Sequence, residues 1–337
     1  MKKSLLSMML VVGGSLLLSP VVVSAETVTL TYSTFFPPTH IQSITSEEWC
    51  KEVEARTEGR VKVQFFPGQT LTKAPQTYEA ITDGIADIGT AALAYTQGRF
   101  PVMAAMDLPF GYKSGTAATQ VANQLFAKMN PEEFAATKVM YFHAHGPGFI
   151  HTREKGIQKL EDLKGQRIRS TGMSANVVTA LGGTPVSMAM PDTYQSLQKG
   201  VVDGSMHPVE TNKGWNMGEV VDYVTMAYPS AYTTTFFVVM NKDKWAAIDP
   251  ADQKIIEEIN TAWAAKHGDA WDSSDKDGIA FFQEKGGQII ELDEAETKRW
   301  EEAVAPVVND YAASLDKLNV KGQEVIDFIR TTLSTLQ

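Results

Sequence analysis

Arg169 sits within the apolar and polar alternation of a short strand, and a small-residue turn, Ser170 to Ser174, follows it. A guanidinium in such a place is not a solvated surface charge. Its planar fork of donors matches a carboxylate two bonds at a time, and its buried charge is tolerable only when paired. The residue alone fits two readings, a structural ion pair with an internal acid or the anchor of an anionic ligand. Its position at a strand end before a tight turn favours the ligand. Met190 and His207 fall at or just beyond the ends of the next two strands. Phe36, Tyr95 and Trp215 are aromatics near a cleft, where a ligand platform competes with a plain core role. Glu210 would instead favour an amine on the ligand.

Other chemistry is thinly represented. His143 and His145 share a strand face and His151 lies beyond a glycine turn, which invites a metal. No nearby Cys, Asp or Glu completes the set, so packing or hydrogen bonding is the reading and no metal is expected. Cys50 is the only cysteine and follows Trp49 on a helical face, which makes it a buried thiol and rules out an intramolecular disulfide. There is no G-x-S-x-G elbow, H-E-x-x-H pair, phosphate loop or dinucleotide fingerprint, so neither an enzyme nor a cofactor is expected. A secreted hydrolase or lyase built from dispersed residues is the alternative from another class.

The elements that must position Arg169 are strand, helix, strand, helix, strand between Glu161 and Glu210. That order implies a parallel sheet, whose carboxyl edge is where ligands bind. The third strand of the set is expected to stop at Asp203-Gly204. Upstream, Thr27 to Tyr32 forms a strand that leads through the aromatic turn at Phe35-Phe36 to a helix capped by Thr39 and Gln42, with Ile41, Ile44, Trp49 and Val53 inward. Thr77-Tyr78, Ile81, Gly84-Ile85 and Asp87 recur as Thr193-Tyr194, Leu197, Gly200-Val201 and Asp203. Both copies read as helix, glycine cap, short strand and aspartate, which argues for two similarly built lobes. Gly146-Pro147-Gly148 is the expected hinge, chosen for glycine's backbone freedom. Thr233 to Met240 carries the chain back to the first lobe. A helix opened by Asp249-Pro250 is expected to end near Gly268, with a second from Ala270 to Phe282.

Residues 1–25 read as a signal peptide: Lys2-Lys3, an apolar run from Leu5 to Val23, and a small-residue cleavage site at Val23-Ser24-Ala25. The same run is also readable as a retained anchor, but Gly13-Gly14 and Ser19-Pro20 interrupt it. The net charge of −10 becomes more negative once Lys2 and Lys3 leave, which argues against nucleic acid or an anionic membrane as partner.

Several stretches together resemble one family, the extracytoplasmic substrate-binding proteins of tripartite ATP-independent periplasmic (TRAP) transporters, DctP type. They are VKVQFFPGQTL at 61–71, GIADIG at 84–89, LPF at 108–110, DLKGQRIR at 162–169, LGGTPVSM at 181–188, TYQSLQKGVVDG at 193–204 and VVMNKDKW at 238–245. The resemblance implies a periplasmic protein of the α/β class, two lobes with mainly parallel sheets, a hinge, a long helix spanning both lobes, and a membrane permease as partner. The expected division is lobe I at 26–146 with 234–272 returning to it, and lobe II at 147–233 with 273–337 packing across it and the hinge. It also implies that Arg169 grips the carboxylate of a small organic acid. Family members often carry asparagine at the position of His207, and those for dicarboxylates or sugar acids often add an arginine where Phe149 stands. Phe149 and Met190 would then pack on an apolar or aromatic body beside one anionic anchor, while His207 makes one hydrogen bond. A sensor's ligand-binding component is a third reading that the same residues fit.

Overall fold

Apolar alternation along Val28–Thr34 (β1) and Val61–Phe66 (β2) builds two parallel neighbours on either side of Ile41–Arg56 (α1). The structure is a computed structural model and describes residues 27–337, so the expected targeting segment lies outside it. The first half continues through Thr77–Thr82 (α2), Ile88–Ala92 (β3), Gly115–Met129 (α3) and Thr137–Ala144 (β4). The second sheet takes Gly148–Thr152 (β5), Arg167–Ser170 (β6), Met173–Ala180 (α4), Thr184–Ser187 (β7), Thr193–Gln198 (α5), Gly204–Pro208 (β8), Thr211–Gly214 (α6) and Tyr223–Thr225 (β9). Thr235–Asn241 (β10) returns to the first sheet, and Lys242–Ala246 (α7), Pro250–Glu284 (α8), Gln288–Ile290 (β11), Glu294–Asp316 (α9) and Gly322–Leu336 (α10) complete the chain.

The architecture is α/β with two lobes, one per sheet. Strand orders are β2-β1-β3-β10-β4 and β11-β9-β5-β8-β6-β7. Both sheets are mixed but mainly parallel: in each, every strand but one runs in the same direction. β10 runs antiparallel to β3 and β4, and β5 runs antiparallel to β8 and β9. These are the strands on which the chain crosses between lobes, and a strand arriving from the other lobe enters against the direction of its neighbours.

The internal echo is a structural repeat. Asp87 Oδ2 accepts the Thr31 N–H at 2.8 Å, and Asp203 Oδ2 accepts the Arg167 N–H at 2.8 Å. Each aspartate follows a helix and a left-handed glycine, Gly84 at φ +74° and Gly200 at φ +67°. The strands begin after these aspartates, at Ile88 and Gly204, whereas the sequence reading ended them there. The side chain takes the N–H one residue before the first paired position of the neighbouring strand, Tyr32 or Ile168, so the aspartate marks the entry to the ladder. Ile85 and Val201, read as strand, are exposed instead.

Two further differences have physical causes. His40, not Thr39, caps α1, its Nδ1 accepting the Gln42 N–H at 3.2 Å. The buried face of α1 includes Gln42 and Ser46, while Ile44 is 41% exposed. This face is polar because α1 packs on α8 through hydrogen bonds, such as Trp49 Nε1 to Asn260 Oδ1 at 2.9 Å. The second difference is that α8 is one continuous helix of 35 residues, about 50 Å long. Gly268 does not end it. A Cβ there would lie 3.0 Å from Thr116 Cα, so the glycine lets α3 approach. Further along, Gly278 lies against the Val209 carbonyl where the chain leaves β8. The helix therefore touches both lobes, packing on α1, α3 and β4 at one end and α6 at the other.

The lobes are joined by residues 145–147 and 226–234 as well as by α8. The two crossing segments bond to each other, Gly148 N–H to Tyr232 O at 2.8 Å and Thr233 Oγ1 to His145 O at 2.6 Å. Gly148 is needed here because its Cα faces the Tyr232 ring, a close approach and not a positive φ. One core lies behind each sheet, around Trp49 and Trp263 in the first and Ile168 and Trp300 in the second, and a larger cluster runs between them. α9 packs on α4, and α10 packs on α3 of the first lobe.

Candidate functional site

β6 carries Arg169 between β7 and β8, in register with Val186 and Ser205. Only 3% of the residue is exposed. Its Nε donates to Met188 O at 3.0 Å and its Nη1 to Met206 O at 3.2 Å, carbonyls supplied by the chain just past β7 and by β8. These two bonds fix the guanidinium plane. Among the described residues no carboxylate pairs with it, so the charge is held in place without a counter-ion.

The guanidinium faces a small closed cavity between the lobes, of about 40 Å³. Arg169 is the only arginine or lysine in that lining. Phe35 and Phe36 stack at 4.2 Å, Phe236 stacks on Trp271 at 5.5 Å, and Trp215 lies parallel to Phe35 at 6.0 Å. The aromatic turn after β1, the start of β10, the middle of α8 and the segment after α6 thus form one apolar wall. Three contacts shut the cleft. The Met190 N–H donates to the Tyr95 hydroxyl at 3.1 Å, His40 Nε2 meets Glu210 Oε2 at 3.1 Å, and Gly172 lies against Ala94.

Burial and the Arg169 charge set the protonation of the neighbours. Burial pushes the Tyr95 phenol up, opposed by Arg169. Burial pulls His145 down to about 4, with Arg169 adding to the effect. His207 is held well below the usual imidazole range by burial first and then by the adjacent His151. It is therefore neutral. Its Nδ1 lies 2.6 Å from Thr211 Oγ1 and 3.2 Å from Pro208 O. The Thr211 hydroxyl already donates to Pro208 O at 2.8 Å, so the imidazole proton belongs on Nδ1. His207 Nε2 is then a buried acceptor with no partner.

Of the residues singled out from sequence, Arg169, Met190, His207, Tyr95, Phe36 and Trp215 are brought together in this lining. Phe149 is not among them. It stands in register with His207 on β5, but its ring packs edge-on against Tyr228 at 4.9 Å and is buried. Beyond the aromatic turn that carries Phe35, sequence reasoning missed His145, Tyr232, Phe236 and Trp271 in the wall. The signal for Phe35 was its neighbour Phe36. Trp271 needed α8 to be recognised as unbroken.

The histidines do not form a metal centre. His143 Nδ1 accepts from Trp271 Nε1 at 3.0 Å, and His143 stacks on His267 at 4.5 Å. Among the described residues no group of three or more His, Cys, Asp or Glu side chains is arranged to hold a metal ion. Cys50 is buried in the first core, and burial pushes its thiol far up.

A lone guanidinium at the edge of an aromatic cavity between two lobes has free donors that suit an anion. Residues 32–314 match the family model for DctP, bacterial extracellular solute-binding protein, family 7. The chain belongs to this family. Its members are substrate-binding proteins of TRAP transporters rather than enzymes; as a family they are periplasmic, bind small organic acids and work with membrane permease subunits. A solute-binding protein from Roseobacter denitrificans is 27% identical over 73% of this chain and 76% of its own. A marine metagenome TRAP solute-binding protein specific for aromatic acid ligands, in complex with metahydroxyphenylacetate, shares the fold at a TM-score of 0.87 and 28% identity over 91% of this chain and 99% of its own. A TRAP solute-binding protein from Rhodoferax ferrireducens, in complex with copurified benzoate, has a TM-score of 0.87 and 27% identity over 92% of this chain and 98% of its own. This DctP-family chain has no helix among its described residues long and apolar enough to cross a membrane.

Proposed function

We propose that this protein captures an organic acid with one carboxylate on an apolar or aromatic body, closes its lobes over it, and delivers it in the periplasm to a TRAP permease. The observation that carries the reading is Arg169, buried to 3% exposure and without a carboxylate partner among the described residues, in a cavity lined in large part by aromatic side chains. A second cation in the lining would suit a dicarboxylate, and there is none. The solutes bound by the benzoate and metahydroxyphenylacetate complexes are of the proposed kind.

Closure follows from the same charge. With the lobes apart, water solvates the guanidinium. With the lobes shut and no solute, the charge is buried unpaired, so an anion that supplies the missing partner shifts the population toward the closed form. The Tyr95–Met190 and His40–Glu210 contacts form only with the lobes together, and they give the permease a closed shape to read. A thermal-shift and calorimetric screen across monocarboxylates, dicarboxylates, sugar acids, aromatic acids and sulfonates tests the reading. Aromatic and apolar monocarboxylates should give the tightest binding. Tight binding confined to solutes that lack an acid group would overturn it.

A further inference from the structure

A second cavity lies behind the solute cavity, on the other side of the seam where the lobes meet. Its volume is about 370 Å³, within the range of small-molecule sites. The segment after β3 and the start of α4 form the seam, and their residues divide between the two spaces. Tyr95 and Thr171 line the solute cavity, whereas Ala94, Thr96 and Gly172 line the second. Each lobe thus supplies one wall, and Tyr311 and Ser314 of α9 supply a third.

Among the described residues of this lining, Asp107 alone is charged. It is 2% exposed. Burial pushes its carboxyl up to about 8, and only hydrogen bonding to Thr235 acts the other way, with the Thr235 N–H donating to Oδ1 at 2.8 Å. The titratable groups that face it, Tyr112, Tyr232 and Tyr311, bring no positive charge. The Tyr112 hydroxyl donates to Met106 O at 2.6 Å and the Tyr311 hydroxyl to Pro101 O at 2.8 Å, so neither donor is left for the carboxylate. Thr96 Oγ1 is buried in the same lining with no partner. The amides of Gln97 and Asn176 stand exposed at the rim. Apolar surface comes from Phe100, which is buried, and Leu318, which is 57% exposed.

We propose that this cavity binds a small organic amine as its ammonium ion, held by Asp107 through a charge-assisted hydrogen bond while Phe100, Tyr311 and Leu318 cover its apolar body. A carboxylate buried without a cation is costly, and an ammonium supplies both the charge and the donors that the inner lining lacks. A calcium or magnesium ion suits the cavity poorly, because it needs several oxygen ligands around one point and the lining has one carboxylate. On binding, the Asp107 carboxyl gives its proton to solvent and the ammonium keeps its three N–H bonds. The walls from the two lobes meet only with the seam shut, so amine and acid each favour the closed form and strengthen the other's binding. The site itself does not depend on which solute fills the first cavity.

The test titrates benzylamine, cyclohexylamine and isobutylamine, each beside the alcohol of the same skeleton, into the full mature protein at pH 7 by calorimetry, with and without the best acid from the screen. At least one amine should bind about tenfold or more tightly than its alcohol, the effect of one hydrogen bond to a charged group. Titrations in buffers of different ionisation enthalpy should show release of about one proton per amine bound. The same amine should raise the affinity for the acid at least about fivefold. Asp107→Asn keeps an acceptor for the Thr235 N–H; in it the amine preference and the proton release should vanish while the acid still binds. The amine and alcohol pairs on the unmodified protein decide the matter if the variant does not fold. If no amine outbinds its alcohol, or a folded Asp107→Asn keeps the preference, the inference is wrong and the proposed function stands. An amine that binds through Asp107 without changing acid affinity would refute its place across the seam. If no organic acid binds, the proposed function fails, and the amine and alcohol pairs alone still decide this site.

Discussion

Replacing Arg169 by methionine separates a ligand anchor from a structural cation. The guanidinium has five N–H donors. The Met188 and Met206 carbonyls take one each, at 3.0 and 3.2 Å, and the second Nη1 hydrogen and both Nη2 hydrogens remain for a solute. Two charge-assisted bonds to a carboxylate, at about 1.5–3 kcal/mol each, amount to about 3–6 kcal/mol, or about a 10²- to 10⁴-fold loss of affinity. The free protein should behave differently. Methionine fills much of the volume and removes an uncompensated buried charge, while two carbonyls lose their donors at about 1 kcal/mol each. The two effects oppose, so the melting temperature of the unliganded variant should stay close to that of the parent. Calorimetric titration with the best acid from the screen, and scanning calorimetry with and without it, read both quantities. A loss of affinity below tenfold, or a free protein destabilised by several kcal/mol, would refute the assignment of Arg169 to the solute.

Gly172 adopts φ +51° and ψ −128°, and a Cβ there would lie 2.7 Å from the Ala94 Cβ across the cleft. Gly172→Ala is therefore expected to strain the turn and prop the lobes apart, lowering affinity at least about tenfold and enlarging the liganded particle in small-angle scattering; parental affinity would show that this seam does not gate closure. Burial holds His145, His151 and His267 down to about 4, 3 and 3, so they stay neutral in the folded chain while the unfolded chain protonates near pH 6.5. The unfolded state then gains protons as pH falls, so stability present above about pH 6.5 is lost toward the folded values, about 2 kcal/mol per imidazole between pH 7 and pH 5. Urea denaturation across that range should show the decline, and a flat profile would count against it. Gly278→Val forces a branched side chain against the Val209 carbonyl and should cost at least about 2 kcal/mol by chemical denaturation; an equally stable variant would contradict the docking of α8 on the second lobe.

Arg169 was legible because a charge inside an alternating strand violates the pattern around it, and a violation at a strand end is where function is expected. The repeat around Asp87 and Asp203 was legible for a similar reason, since side chains that replace a main-chain bond need the same residue at the same step. The starting points of the strands beside them were not, because an aspartate that opens a ladder and one that closes it look alike in sequence. Gly268 misled because a glycine that admits another helix has the same letter as one that ends its own. The polar inward face of α1 defeated apolar periodicity, as its partners on α8 lie some 210 residues away, as with Trp49 and Asn260. Phe236 and Trp271 meet Phe36 only through the three-dimensional return of β10 and α8, which no local window contains.

The unbroken α8 also limits what motions the molecule has. It is notched at Gly268 for one lobe and at Gly278 for the other, ten residues or about 15 Å apart along one rod. Sliding either lobe along the rod would drive a main chain out of its notch, so the shear coordinate is blocked and flexure of the short span between the notches is left. The same span carries Trp271 into the cavity wall, so its angle should change with whether the cleft is occupied.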